Sequence, residues 1–375
     1  MTRGEAKKTS FLELFFDLVF VFAITQVAAA LHGDHSAAGW AQAALLMWLM
    51  WWAWSQYTWA ANAIDLDRPG VRVAMLAVTG ATLVAAIALP EAFGDRGALF
   101  AVPYAAVRVA GLALYWNGLR DDPVHQRALR AYLPVAVVSP VLVLAGGLAP
   151  DGARAWLWLG AVAVDVASVL AAGRGEFRVA PGHFAERHAL IIIIALGESI
   201  IAIGATALES GMDAVVLASV ALAFGAVALM WWAYFDHAAA WLEQRLVSER
   251  DNRRRGHIAR DVFTLGHLPM VAGIVLFAVG VEEALVHPGS AVPVFGRLAM
   301  GLGLLLFLAA FIVGRPASTG VRLGLRMGAG VAAALAMLLL PGLAGTALIA
   351  VLTGVLAVVA VAESRPRAES ARSSA

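Results

Sequence analysis

Two carboxylates lie one helical turn apart in an otherwise apolar stretch near the N-terminus. The stretch FLELFFDLVFVFAITQVAAAL runs from Phe11 to Leu31 and contains Glu13 and Asp17. Their i, i+4 spacing places both acids on one face of a helix. A charge at the centre of a bilayer costs on the order of 3 kcal/mol on insertion scales. The pair is therefore a candidate cation or proton site. The alternative is a structural cap or an ion pair with an arginine such as Arg187.

A third acid, Glu198, lies about ten residues into another apolar run and close to its middle. Gly197 and Gly204 flank it, and small residues of this kind permit close helix packing. An acid at that depth needs a partner or a proton. Asp17 and Glu198 are each followed eight residues later by a threonine, Thr25 and Thr206. We expect the four residues to line a polar pathway, with Glu13 at its cytoplasmic end.

Two further constellations of polar residues occur inside apolar runs. Arg108 and Asp165 each lie about eleven residues from the start of their runs, which predicts a buried ion pair at a shared depth. His267 follows Asp261, and the pair could extend a proton relay. Isolated histidines inside a protein are also common as hydrogen-bonded packing residues, so both interpretations of His267 stay open.

The composition establishes the class of protein that must position these residues. Hydrophobic residues make up 61% of the 375 residues and charged residues 14%, which is more apolar surface than a soluble core can bury. The sequence therefore predicts an integral membrane protein. It contains no cysteine, which excludes disulfides, thiolate metal sites and cysteine nucleophiles.

Apolar runs of about 20 residues, the length of a membrane-spanning helix, recur along the whole chain. They lack the period-two alternation of a β-barrel, so the predicted fold class is an all-α integral membrane protein with about twelve transmembrane helices. The expected spans are 11–32, 40–63, 71–91, 97–119, 127–147, 154–173, 184–208, 213–236, 260–285, 293–314, 320–340 and 342–362.

The basic residues support this count, because cytoplasmic loops of membrane proteins are rich in Lys and Arg. With both termini cytoplasmic, 23 of the 27 basic residues lie on the cytoplasmic side. Only Arg96, Arg154 and Arg297 lie outside, and Arg108 lies within a span. One span more or fewer would invert every later loop and remove this bias.

The two halves of the chain resemble each other. LMWWAW (49–54) matches LMWWAY (229–234), and the tryptophans lie 34 residues after Asp17 and 33 after Glu198. The pattern predicts two parallel six-helix repeats related by an axis along the membrane normal, over residues 1–180 and 181–365. Residues 366–375 are expected to form a disordered cytoplasmic tail. Chance similarity between apolar helices is the alternative explanation.

Three segments closely resemble the bacterial low temperature requirement A family. They are ELFFDLVFVFAITQ (13–26), ERHALIIIIALGESIIAIG (186–204) and HLPMVAGIVLFAVGVEEAL (267–285). The resemblance covers roughly residues 10–360 and implies a polytopic plasma-membrane protein. FFDLVFVFAIT is also similar to the first helix of the endosomal and lysosomal potassium channel family. Phe16 replaces the serine of that family's F-S-D motif, so no role of the hydroxyl carries over.

Two classes of function follow from these observations. The first is a transporter or cation channel with acids along a polar pathway. The second is a non-conducting membrane factor in low-temperature or envelope adaptation, with the polar residues serving helix packing. No enzymatic motif is present, and we expect no cofactor and no metal site. The expected partners are the bilayer, small cations or protons and further copies of the chain. Nucleic acid is not expected, because the basic run at 250–260 is explained by membrane orientation.

Overall fold

The computed structural model describes residues 9–172, 177–310 and 322–364. The predicted tail at 366–375 lies outside them. The described chain forms fifteen α-helices with short 3₁₀ and π-helical segments between some of them. The helices are α1 (Phe11–Gly33), α2 (Ala37–Ala61), α3 (Pro69–Ala88), α4 (Gly97–Gly118), α5 (Pro123–Ala136), α6 (Val138–Leu148), α7 (Asp151–Ala172), α8 (Pro181–Ser210), α9 (Ala214–Tyr234), α10 (Ala240–Ser248), α11 (Asn252–Ile258), α12 (Gly266–Val286), α13 (Val294–Ala309), α14 (Leu323–Leu339) and α15 (Gly345–Ser364).

Within the described ranges, nine helical stretches are long and apolar enough to cross a membrane. The helices α13 and α14 are apolar but shorter. The prediction of an all-α integral membrane protein is confirmed. The nine stretches, the two shorter helices and α2 account for all of the expected spans, although the number that cross the bilayer stays a prediction.

Protein surrounds the second half of helix α2. Every residue from Leu49 to Thr58 is buried, and these ten residues cover all faces of the helix. A helix that is buried all round need not be uniformly apolar if its polar groups find partners. The polar side chains of α2 are therefore available to position charged groups on neighbouring helices.

Local sequence signals explain where several helices begin and break. Ser10 and Glu13 form a capping box at the start of α1, and Ser36 caps α2. The expected span 127–147 is instead two helices that meet at Val137. Pro140 has no amide proton to donate to the carbonyl of Ala136, so the helix is interrupted there.

The chain divides into two compact units. The first comprises Met1–Ile194 and Arg245–Leu268, and the second comprises Ala195–Gln244 and Pro269–Ala375. In the first unit, α1 packs on α2 and α3, α4 packs on α2, α3 and α6, and α7 packs on α5 and α6. The sequence predicted two repeats with a boundary after residue 180, and that boundary stays a prediction.

In the second unit, α13 packs on α14, and α15 packs on α9 and α14. Gly273 of α12 and Gly303 of α13 lie where the two backbones approach closely, and a Cβ on either glycine would collide with the other helix. Gly280 and Gly296 repeat this arrangement two turns further along. Small residues thus allow these two helices to pack in contact.

Candidate functional site

Glu13 and Asp17 are both fully buried in the first unit. The capping box uses one oxygen of Glu13: Oε2 accepts from the Ser10 amide at 2.8 Å and from the Ser10 hydroxyl at 3.0 Å. The other oxygen, Oε1, lies 2.9 Å from His183 Nε2 and 3.7 Å from Arg187 Nη1. The start of α1 therefore directs one carboxylate oxygen towards α8.

His183 and Arg187 lie on α8 with the same i, i+4 spacing as the two acids on α1. Arg187 Nη2 donates to Asp17 Oδ1, and Trp54 Nε1 of α2 donates to the same oxygen at 2.8 Å. Glu13 and Asp17 thus share a single guanidinium. The side chains of Arg187, Glu13 and Asp17 are all unexposed in these two ion pairs. Solvent therefore screens the attraction between them little.

This cluster of Glu13, Asp17, His183 and Arg187, here called the acid–arginine cluster, retains hydrogen-bonding capacity. Within the described part of the chain, Asp17 Oδ2, His183 Nδ1 and Arg187 Nε and Nη1 are buried without a hydrogen-bond partner. Buried polar groups in proteins are usually paired, and each exception calls for an explanation. Two carboxylates thus face one guanidinium, and this excess of negative charge allows the cluster to accept a proton.

Two buried histidines lie next to the cluster. His188 follows Arg187 on α8, and its ring centroid is 5.0 Å from that of His267 and 5.0 Å from that of Trp54. Trp54 is also the donor to Asp17. His188 Nδ1 faces the carbonyl oxygen of Phe184 at 2.8 Å. Aromatic and imidazole rings thus connect the acid–arginine cluster to His267.

A π-helical segment, Ala259–Leu265, leads into α12 just before His267. Its wider turn alters the normal carbonyl pairing, and π-bulges are frequent at functional sites. The carbonyl oxygen of Thr264 accepts from Trp51 Nε1 at 2.8 Å, and the hydroxyl of Thr264 accepts from Trp59 Nε1 at 2.9 Å. Two tryptophans of α2 therefore hold this segment in place.

Arg108 of α4 and Asp165 of α7 meet in a second buried cluster. Arg108 Nη2 donates to Asp165 Oδ1 at 2.9 Å, and Nη1 lies 3.4 Å from Oδ2. Arg108 Nε donates to Gln56 Oε1 at 2.7 Å, and Nη1 donates to the Tyr104 hydroxyl at 2.9 Å. Each nitrogen of this guanidinium has a hydrogen-bond partner, whereas Nε and Nη1 of Arg187 have none within the described residues.

The second unit contains a buried ion pair that the sequence did not single out. Arg326 Nε and Nη2 donate to the two oxygens of Glu363, both at 2.7 Å, and Nη2 also donates to the Ala233 carbonyl at 2.7 Å. One signal could have revealed it. Both residues lie near the ends of their expected spans that face the cytoplasmic side in the charge-based topology.

The remaining candidates are not members of these clusters. Thr25 donates to the carbonyl of Phe22 at 2.7 Å, a local bond within α1. Glu198 and Thr206 belong to the second unit and are only partly buried. Within the described residues, Glu198 makes no hydrogen bond or ion pair. Asp261 forms a bidentate pair with its neighbour Arg260, at 2.6 and 3.0 Å.

Sequence reasoning proposed Arg187 only as an alternative partner and did not name His183, His188 or Trp54. The segment HFAERHAL (183–190) carried a usable signal, because His183 and Arg187 have the spacing of Glu13 and Asp17. Two helices with matching i, i+4 polar pairs can place those pairs face to face. Trp54 offered no such signal, because it lies among several similar tryptophans.

The helices and their buried polar clusters define a multi-pass α-helical membrane protein. Residues 8–361 match the family described as "Bacterial low temperature requirement A protein (LtrA)". The chain therefore belongs to this family, and the resemblance drawn from its motifs is confirmed. It is similar to a protein of Rhizobium meliloti (strain 1021), "Uncharacterized protein RA0937", with 36% identity over 316 residues that cover 80% of this chain and 76% of the relative. No solved structure matches the chain.

Proposed function

We propose that this protein is a membrane transporter in which the acid–arginine cluster takes part in proton movement. The observation that carries the proposal is that Arg187 is shared by two buried carboxylates and retains unpartnered nitrogens. A proton bound to Asp17 would remove most of its attraction for Arg187. The guanidinium would then be free to move towards Glu13, so protonation and side-chain movement are coupled.

The geometry favours a proton over a metal cation. Arg187 already contacts both acids, so a metal cation would have to displace its guanidinium to reach their oxygens. A proton adds to a carboxylate oxygen and needs no coordination shell. His183 faces Glu13 and is a second group able to exchange a proton with it.

The predicted repeat and orientation form part of the same proposal. In each unit, the helix with the LMWWA motif packs against the last helix of its half of the chain, as α2 does with α7 and α9 with α15. This recurrence supports two parallel six-helix repeats. The distribution of basic residues supports a plasma-membrane protein with both termini in the cytoplasm.

A second candidate function is a non-conducting membrane factor. The observation in its favour is the Arg108–Asp165 cluster, in which Gln56 and Tyr104 complete the pairing of the guanidinium. Fully paired clusters of this kind specify a packing arrangement, and they require no transported ion. On this interpretation the acid–arginine cluster would also serve only to join α1 and α8.

Flux measurements in liposomes distinguish the two functions. Purified protein is reconstituted with an internal pH dye, and a membrane potential, negative inside, is imposed with potassium and valinomycin. We expect internal acidification that depends on the protein. It should persist when choline replaces the external potassium or sodium at the same membrane potential. Flux of potassium or sodium without protons would contradict the proton proposal. The absence of flux of all three ions would support the non-conducting factor.

A further inference from the structure

The first unit contains a cavity with aromatic walls between α2 and the segment that joins α11 to α12. Its lining surrounds about 710 Å³ of space, part of which is open to solvent. Trp52, Trp59, Tyr115, Tyr132 and Phe177 supply the rings. Flat rings on several sides suit a ligand with an aromatic or otherwise planar apolar body.

One side of the cavity carries positive charge. His257, Arg260 and Thr264 follow each other at helical spacing and line the cavity together with Gly256. Five arginines and two aspartates lie between residues 250 and 261, so the potential around this side is positive. Aromatic rings also attract cations. However, the guanidinium of Arg260 also lines the cavity and would repel a cation. An anionic ligand is therefore the better match.

Arg260 is available to such a ligand. Its only ion pair in the described chain is with Asp261, and the two side chains are 26% and 39% exposed. Ion pairs at this exposure contribute at most about 1 kcal/mol. A ligand carboxylate can therefore replace Asp261 or join it without a large loss of protein stability.

The buried side of the cavity has an unused polar group. Tyr115 is 3% exposed, and its hydroxyl has no hydrogen-bond partner within the described residues. A buried hydroxyl in this state is costly and is commonly satisfied by a ligand or an ordered water. Ser55, which is also buried, is another residue in the cavity lining. The lining of the cavity thus combines a guanidinium, several aromatic rings and a buried hydroxyl.

We infer that this cavity binds a small amphipathic organic anion, with its carboxylate at Arg260 and a planar apolar body between the tryptophan and tyrosine rings. The inference is one of binding and does not depend on the proposed proton movement. Trp59 contacts the ring of Phe184, which in turn contacts His188. These ring contacts join the wall of the cavity to α8, the helix that carries Arg187.

A direct binding assay tests the inference. Protein in phosphatidylcholine nanodiscs is titrated with radiolabelled indole-3-acetate, which carries both a planar ring and a carboxylate. We expect saturable binding that indole-3-acetamide and tryptamine, the neutral and cationic analogues, displace at least tenfold less well. Arg260→Gln should weaken binding about tenfold or more, as expected for a lost hydrogen bond to a charged group. Arg254→Gln, an exposed neighbour outside the cavity, should leave binding unchanged.

A second variant tests the location without removing charge. A Cβ added at Gly256 would meet no atom within 4 Å, so Gly256→Leu should fold and fill part of the cavity, with a loss of binding. Gly80→Leu is the matched control, because Gly80 is also helical and unobstructed. Equal displacement by all three indoles, unchanged binding in Arg260→Gln, or a co-purified phospholipid that occupies the cavity and blocks the probe would overturn the inference.

Discussion

The buried pair between Arg108 and Asp165 offers a quantitative test of the structure. Both side chains are fully buried, and their nearest atoms are 2.9 Å apart. At an effective dielectric constant of about 20, this separation corresponds to an attraction of about 6 kcal/mol. Taking two charges out of water costs several kcal/mol per ion. The intact pair therefore contributes little net stability, whereas either charge alone is strongly destabilising.

We expect Arg108→Leu and Asp165→Leu each to lower the free energy of unfolding by about 3–5 kcal/mol, because each leaves one buried charge without its partner. The double variant should be about 2–4 kcal/mol more stable than the sum of the two single effects predicts, since it removes both charges. Asp165→Leu should be the more harmful single change. It leaves a guanidinium that holds only Gln56 and Tyr104.

Denaturation in mixed micelles, followed by tryptophan fluorescence, measures the free energies of the four proteins. The control is an equivalent set of variants at Arg96 and Glu91 in the same unit, whose side chains are 44% and 54% exposed and 3.1 Å apart. Their coupling should be at most about 1 kcal/mol. Additive effects of Arg108→Leu and Asp165→Leu, within about 0.5 kcal/mol, would refute the pairing.

Three further outcomes are expected. The chain has no cysteine of its own, so Ser248→Cys should react with a membrane-impermeant thiol reagent only from the cytoplasmic side and Ser290→Cys only from outside. Periplasmic labelling of Ser248→Cys would overturn the charge-based topology. Gly303→Ala should lower the free energy of unfolding by roughly 1–3 kcal/mol, because the new Cβ collides with α12. Gly354→Ala is the control and should be neutral or slightly stabilising, because no atom lies near its Cβ. Equal effects of the two changes would argue against the close approach of α12 and α13. Trp54→Phe should reduce proton flux without preventing folding, because Asp17 loses one donor and keeps Arg187, and unchanged flux would place Trp54 outside the pathway.

The sequence predicted most of the fold because each membrane helix is recorded locally as an apolar run. The first run was expected at 11–32, and α1 is Phe11–Gly33. The structure differs from the predicted spans in two places, for different reasons. The apolar pattern of 127–147 predicted one span, whereas the local signal of Pro140 interrupts the helix between α5 and α6. The π-helical segment before His267 is contacted by Trp51 and Trp59 of another helix, and such tertiary contacts are not visible in an apolar pattern.

The candidate site was only partly predictable for a similar reason. Shared depth is visible in the sequence, and it indicated the pairing of Arg108 with Asp165. The pairing of Asp17 with Arg187, 170 residues further along the chain, was weighed only as an alternative, because the spacing of the charges permits this contact between α1 and α8 without requiring it. Sequence similarity between the halves also did not imply equal surroundings. Trp51 is buried, whereas Trp231, its counterpart in the second motif, is 40% exposed.

The central claim is that the acid–arginine cluster takes part in proton movement, and proton flux through one matched pair of variants tests it most directly. Asp17→Asn and Asp165→Asn each remove the charge of a buried aspartate that faces an arginine in the same unit. Both are compared with the parent protein in liposomes loaded with a pH dye, after melting curves show that both fold. The account predicts that Asp17→Asn loses the flux and Asp165→Asn retains it. Retained flux in Asp17→Asn, with the pH dependence of the parent, would contradict the account.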